Sequence, residues 1–292
     1  MFKHFQLLIV LLFSIILVKS LIAQPIEDNA KQDIIEKLDK NLLDNTVVVD
    51  NYYVSVRKYY EKILEIDSTD YNALTNLGVI YQQYGDLEKS LLYFEQAVKF
   101  HPQKSRPYHN LGILNSIIGN LDEAVLNLNK AAELDLPNPN SVRQLGIIYL
   151  QNEMYNEAIA AFYRALKRDK FDTESRLGKA LAYWSLKEYD KVLAVINEMQ
   201  SLGLRFNRME LLLADVYFKK KDYETAMRYA RLDKTENSSK AEGHYLLGVL
   251  YKMKDEKDKA EYEFEEAYAI TQQNPTARLE FSISTFFNKE FK

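Results

Sequence analysis

Apolar residues recur along most of the chain at the spacing of amphipathic helices. They stand at positions i, i+3, i+4 and i+7 within short stretches, which places them on one face of a helix. Leu77 and Tyr81 belong to one such stretch, and Phe94 and Ala97 belong to the next. Gly85 lies between the two stretches and is typical of a turn. The pattern therefore predicts pairs of helices that pack through their apolar faces.

The predicted helix pairs repeat with a period of 34 residues. A small residue occupies one position in all six units, and a tyrosine follows it three residues later in five of them. Glycine inside a helix costs about 0.5–1 kcal/mol, so four glycines at this position require a packing reason. The units are 71–104, 105–138, 139–172, 173–206, 207–240 and 241–274, and their small residues are Gly78, Gly112, Gly146, Ala180, Ala214 and Gly248.

This period and these positions resemble the tetratricopeptide repeat family. The resemblance covers residues 71–274 and is weaker where Lys179, Met199 and Asp233 depart from the pattern. It implies an all-α, right-handed superhelical solenoid of antiparallel helix pairs, in which the first helices line a concave groove that holds a partner. Residues 24–70 are expected to form an N-terminal helical segment with a degenerate repeat, and 275–292 a C-terminal capping helix that shields the last repeat.

The first 23 residues have the pattern of a secretory signal peptide. Lys3 precedes an apolar run from Leu7 to Val18, and Ala23 is a plausible last residue before cleavage. A helix of that run would be too short for a bilayer core of about 30 Å. We therefore expect a periplasmic or secreted protein. The alternative is a protein that stays anchored in the membrane by an uncleaved N-terminal segment.

Composition excludes several kinds of chemistry. The chain has 38 Lys+Arg, 42 Asp+Glu, no Cys and a net charge of −4. A net acidic chain lacks the broad positive field of a nucleic-acid-binding protein. Without Cys there are no disulfides, thiolate zinc sites or Cys nucleophiles. No two His are spaced for a helical zinc site, and no Gly-rich phosphate loop is present. The sequence predicts neither a catalytic residue nor a metal or other cofactor.

The resemblance places a column of side-chain amides in the groove. Asn76, Asn110 and Gln144 occupy the same position in three consecutive repeats. Because an amide both donates and accepts, such a ladder can hydrogen-bond an extended backbone without selecting its sequence. The alternative is that an amide before Leu-Gly is simply common in this repeat.

Basic residues lie beside the amide column. Arg106, His109 and Arg143 are suited to hold a carboxylate. Some members of the family clamp the C-terminal carboxylate of a chaperone with a specific set of Lys, Asn and Arg residues. Here Thr75 and Val79 occupy the first two of those positions, so that particular clamp is incomplete and its function is rejected.

A second expected groove zone is apolar. An exposed stripe that contains the only Trp would suit a hydrophobic or helical partner segment as an anchor. The alternative is that an adjacent helix covers the stripe. The residues of this zone are Ile147, Leu150, Leu181, Trp184 and Phe218.

Taken together, these patterns predict an exported, non-enzymatic scaffold that binds a protein or peptide in the groove and assists an envelope complex. Two alternatives remain open: a membrane-anchored component of a secretion or envelope-assembly machine, and an enzyme-associated subunit that positions a substrate. The sequence does not decide the oligomeric state.

Overall fold

The computed structural model describes residues 45–236 and 241–273, with side chains from residue 54 to residue 272. Within these ranges the chain forms thirteen α-helices and no strand, so the predicted all-α helical-repeat fold is confirmed. The helices are α1 (Asn45–Ile66), α2 (Tyr71–Gln83), α3 (Leu87–Phe100), α4 (Ser105–Ile117), α5 (Leu121–Leu134), α6 (Asn140–Gln151), α7 (Tyr155–Arg168), α8 (Thr173–Ser185), α9 (Tyr189–Ser201), α10 (Met209–Lys219), α11 (Tyr223–Glu236), α12 (Ala241–Met253) and α13 (Lys257–Gln273).

The predicted signal peptide at 1–23 and the predicted capping helix at 275–292 lie outside the described residues, as does the segment 24–44. Among the helices that are described, none combines the length and the apolar character needed to cross a bilayer.

The turn inside each helix pair has the same backbone geometry. Gly85 has a φ of 77°, its N–H donates to the carbonyl of Gln82, and the N–H of Asp86 donates to the carbonyl of Tyr81 at 2.9 Å. This is the Schellman arrangement, which satisfies the last carbonyls of a helix through one left-handed residue. A positive φ recurs every 34 residues at Gly85, Gly119, Glu153, Lys187, Lys221 and Asp255.

The small-residue position brings the two helices of a pair into close contact. A Cβ on Gly78 would lie 2.4 Å from a ring carbon of Phe94, and one on Gly248 would lie 2.6 Å from Phe264. Ser90 adds a hydrogen bond from its hydroxyl to the carbonyl of Gly78 at 2.8 Å. The missing methyl group therefore leaves the space that the bulky residue of the second helix fills.

Contacts divide the chain into two compact units between Ile148 and Tyr149. In the N-terminal unit, Val56 and Tyr60 of α1 are buried in one apolar cluster with Ala73, Leu77 and Ile80 of α2. Helix α1 thus covers one face of α2. A second cluster joins α2, α3 and α4 through Val79, Phe94, Leu111 and Leu114.

The C-terminal unit has a similar layered core. One cluster joins α8, α9 and α10, and it includes Ile196, Met199 and Leu213. Met199 stands where most other repeats have Ala, yet it is fully buried. The next helix begins only at Met209, after Gly203 and Arg208 adopt positive φ values of 69°. The altered connection accompanies the larger side chain.

Asp233 also stands at a position where other repeats have Ala, and a buried ion pair accounts for it. Its carboxylate is fully buried and lies 3.0 Å from the Arg208 guanidinium, which also lies 2.9 Å from Glu242. A Cβ on Gly243 would lie 2.8 Å from the Asp233 carboxylate. Glycine in α12 therefore makes room for an acid in α11.

Candidate functional site

The predicted amide column lies in the N-terminal unit, with one member on each of α2, α4 and α6. Asn76, Asn110 and Gln144 retain exposed fractions of only 1%, 3% and 6%. A buried amide needs hydrogen-bond partners to offset the loss of water. The partners of each amide therefore indicate its role.

Asn76 is fully engaged within the protein. Its Nδ2 donates to the hydroxyl of Tyr60 at 2.9 Å, and its Oδ1 accepts from Nη2 of Arg106 at 3.2 Å. These bonds connect α1, α2 and α4. The first amide of the column is thus a structural link between helices.

The other two amides are not satisfied in this way. The Nδ2 of Asn110 and the Nε2 of Gln144 are buried, and neither has an acceptor among the described residues. Leaving a buried donor without a partner costs about 1–3 kcal/mol. Two such donors one repeat apart are the feature of this surface that most needs an explanation.

His109 occupies the centre of the basic zone. Its Nδ1 lies 2.9 Å from the hydroxyl of Ser141 on α6, and the ring is partly buried. Burial, together with the positive charges of Arg143 and Arg106, lowers the pKa of His109 from 6.5 to about 4. The ring is therefore neutral near pH 7, and the positive charge of this zone comes from the two arginines.

The two arginines are held by amide oxygens. Nη2 of Arg106 donates to Asn76, and Nη2 of Arg143 donates to Oδ1 of Asn140 at 2.8 Å. Both side chains are partly exposed. The guanidinium of Arg106 forms no ion pair in the described part of the chain.

The expected apolar stripe is not an open surface, which corrects the expectation of an exposed anchor zone. Ile147 in the N-terminal unit is 4% exposed, and Leu150 and Leu181 in the C-terminal unit are 5% and 6% exposed. Trp184 and Phe218 remain partly accessible.

Internal contacts of the two aromatic residues explain this difference. Trp184 packs on the apolar cluster of α8, α9 and α10, and its Nε1 donates to Asp215 at 2.6 Å. The ring of Phe218 lies 5.7 Å from that of Tyr223. Both side chains therefore stabilise the C-terminal unit.

Three residues that hydrogen-bond to members of the predicted site are not themselves among its predicted residues. Tyr60 and Ser141 bind Asn76 and His109, and Asp215 binds Trp184. Burial raises the pKa of Asp215, while Lys219 and the Trp184 hydrogen bond act to lower it. None of the three stands at the same repeat position as its partner, so the period does not predict these pairs. Among the described residues, no group of three His, Cys, Asp or Glu is arranged to hold a metal ion.

Comparison with known protein families identifies repeats in three segments. Residues 59–91, 105–138 and 143–203 each match a family model described as tetratricopeptide repeat. No curated protein matches the chain.

Solved structures of bacterial repeat proteins share the fold. A tetratricopeptide repeat protein from Parabacteroides merdae is 21% identical, with a TM-score of 0.56 over 88% of this chain and 99% of that one. PilF of Pseudomonas aeruginosa is 19% identical, with a TM-score of 0.56 over 73% and 97%. The C-terminal part of a repeat protein from Cytophaga hutchinsonii is 16% identical, with a TM-score of 0.65 over 81% and 97%.

At these identities the structural likeness shows the fold alone. The family matches are independent of it and agree with the 34-residue period. Together they support the assignment of these repeats to the tetratricopeptide repeat family, whose members are generally non-enzymatic protein-interaction scaffolds.

Proposed function

We propose that this chain is a non-enzymatic scaffold that binds an extended peptide segment of a protein partner at the amide column of the N-terminal unit. The observation that carries the proposal is the pair of buried donors on Asn110 and Gln144 that have no acceptor among the described residues. A backbone carbonyl of the ligand supplies the missing acceptor. Binding then recovers free energy that the unliganded protein forfeits.

The limited exposure of both amides has a consequence for the binding step. Because Asn110 and Gln144 are only 3% and 6% exposed, their side chains must rotate toward the ligand as it binds. The Asn76 amide, tied to Tyr60 and Arg106, stays in place and fixes the end of the column. Trp184 and Phe218 are engaged within the C-terminal unit, through the hydrogen bond to Asp215 and the contact with the Tyr223 ring.

The test uses arrays of random decapeptides anchored through their C-termini and probed with the labelled full chain. We predict that Asn110→Ala combined with Gln144→Ala abolishes at least nine-tenths of the binding signal without lowering the free energy of unfolding. Removal of an unsatisfied donor should not destabilise the fold.

Asn115→Ala provides the matched control in the same helix. Its Nδ2 donates to the Leu111 carbonyl at 3.0 Å, so this variant should lose about 1 kcal/mol of stability and keep its peptide binding. A doubly substituted protein that folds and still binds the arrays normally would contradict the proposal.

We also propose export to the periplasm or the outside of the cell, where the scaffold assists an envelope complex. The support is the N-terminal pattern of Lys3, an apolar run and Ala23. Intact mass of the protein from its native cells tests this, and a chain that starts near Gln24 is expected. A mass that includes residues 1–23 would favour the membrane-anchored alternative.

A further inference from the structure

Acidic residues occur in the first helices of the C-terminal unit, α8, α10 and α12, whereas α2, α4 and α6 contain none. Two of them, Glu210 and Glu242, are paired with arginines. Glu174 is exposed in the first turn of α8. Asp215 in α10 differs from these three, because it lies inside its helix and forms no ion pair with any residue that the structure describes.

Asp215 occupies a repeat position that is otherwise aliphatic. Its side chain is only partly accessible, and burial raises the pKa of its carboxyl group. A carboxylate in such a place loses hydration, and a charged partner is the usual compensation. The corresponding residues of the other repeats are Val79, Ile113, Ile147, Leu181 and Val249.

The carboxylate of Asp215 accepts one hydrogen bond from the described part of the chain. Nε1 of Trp184 donates to its Oδ2 at 2.6 Å, so Oδ1 is left without a donor. Although burial raises the pKa of Asp215, the charge of Lys219 acts in the opposite direction. Lys219 nevertheless makes no ion pair with Asp215, and its Nζ lies 5.9 Å from the centroid of the Phe218 ring. One carboxylate oxygen therefore remains for a donor from outside the chain.

Three aromatic side chains from α8, α9 and α10 accompany this carboxylate. Trp184 and Phe218 occupy the same repeat position, both are partly accessible, and Phe218 shares a helix face with Asp215 three residues before it. Tyr189 packs on the same apolar cluster as Trp184. Burial raises the pKa of Tyr189, and the charge of Asp215 adds to that rise. Aromatic faces beside a carboxylate are the combination that binds organic cations.

We propose that this acid–aromatic site, formed by Trp184, Tyr189, Asp215 and Phe218, binds the guanidinium group of an arginine side chain from a protein partner. A guanidinium is planar, so it can stack on an aromatic ring while its N–H groups donate to Oδ1 of Asp215. An ammonium group has no plane to stack, and a quaternary ammonium has no N–H for the open oxygen. The site includes no residue of the amide column, so it does not rest on the proposed function.

The fluorescence of Trp184, the only tryptophan of the chain, reports on this site. The full chain is titrated at constant ionic strength with N-acetyl-arginine methylamide, whose guanidinium is its only charge. We expect a saturable change with a dissociation constant in the millimolar range for a ligand of this size. The citrulline analogue, which has the same shape without the charge, should give no saturable change, and the lysine analogue should bind at least tenfold more weakly.

Substitution of Asp215 by Asn isolates the contribution of its charge. The amide oxygen of Asn can still accept from Nε1 of Trp184, so the reporter keeps its hydrogen bond while the negative charge is lost. Asp215→Asn should weaken binding of the arginine probe at least tenfold. The control Glu261→Gln removes one negative charge from the exposed face of α13 and should leave binding unchanged. Lys219→Gln should strengthen binding severalfold, because it removes a like charge beside the site.

Three results would overturn the acid–aromatic site: equal responses to the arginine and citrulline probes, full affinity in the Asp215→Asn variant, or no response to the arginine probe well above the millimolar range. Free arginine that binds at least tenfold more tightly than the probe would overturn the assignment to a protein side chain. Where Asp215→Asn does not fold, the comparison of the two probes on the unaltered chain decides. Failure here leaves the amide column standing, since the peptide arrays test that column separately.

Discussion

At the scale of single residues, partners rather than residue type distinguish the members of one repeat position. Asn76 and Asn110 occupy equivalent positions and look interchangeable in the sequence. In the structure Asn76 is bound by Tyr60 and Arg106, whereas the Nδ2 of Asn110 has no acceptor among the described residues. The sequence could predict the column but not this division, because Tyr60 comes from a helix outside the regular repeats.

His109 gives a pH-dependent prediction at this scale. Its pKa is lowered from 6.5 to about 4. Between these two pH values the unfolded chain therefore binds a proton at this residue and the folded chain does not. Stability should therefore be complete above pH 6.5 and fall progressively toward pH 4, by about 2–3 kcal/mol for this group. Chemical unfolding at pH 7 and pH 4.5 measures the loss. His109→Gln should lose less stability than the unaltered chain over the same interval, and equal losses would contradict the assignment.

Asp233 gives a prediction opposite to that of the repeat pattern. The pattern favours Ala at this position, so Asp233→Ala would seem to restore a regular repeat. Because the change deprives buried Arg208 of one of its two carboxylates, we expect the free energy of unfolding to fall by about 3 kcal/mol. Denaturant titration measures it.

A second substitution in that pair separates charge burial from packing. Asp233→Ala combined with Arg208→Met removes both members of the pair and should recover part of the lost stability. An Asp233→Ala protein as stable as the original would show that the pair contributes nothing.

At the scale of helices and turns, the 34-residue period was sufficient to locate the helix pairs. Glycine is typical of a turn, and it stands at Gly85 and, one period later, at Gly119, whereas Glu153, Lys187, Lys221 and Asp255 at the equivalent positions give no such indication. All six have a positive φ, because the Schellman hydrogen bonds around each turn impose it on whichever residue is present. The pattern of apolar positions therefore predicts the helices better than it predicts their ends.

Substitution at one of these turns tests that geometry. A non-glycine residue in the left-handed backbone conformation costs about 1–2 kcal/mol, and glycine avoids this cost. Part of that gain in stability is lost again, because glycine has more conformational freedom in the unfolded chain. Glu153→Gly should therefore raise the free energy of unfolding by about 0.5–1 kcal/mol. Glu157→Gly makes the same change within helix α7 and should lower it by about as much. Thermal unfolding measures both changes, and destabilisation of both variants would contradict the turn geometry.

At the scale of the whole molecule, two units built from one repeat differ in the chemistry of their first helices. Those of the N-terminal unit carry no acid and include the unsatisfied donors of Asn110 and Gln144, whereas Arg208 and Trp184 of the C-terminal unit are paired with Asp233 and Asp215. The period predicted the fold for both units. It could not predict which polar and aromatic side chains are used internally, since that depends on contacts between non-equivalent positions.

The central claim is that Asn110 and Gln144 donate to a bound peptide, and side-chain amide NMR tests it most directly. The NH₂ signals are assigned from the Asn110→Ala and Gln144→Ala variants and followed while an array-selected decapeptide is added. We predict that both signals shift at saturation while that of Asn115 does not. Unmoved Asn110 and Gln144 signals together with a shift of the Trp184 indole N–H would contradict the claim.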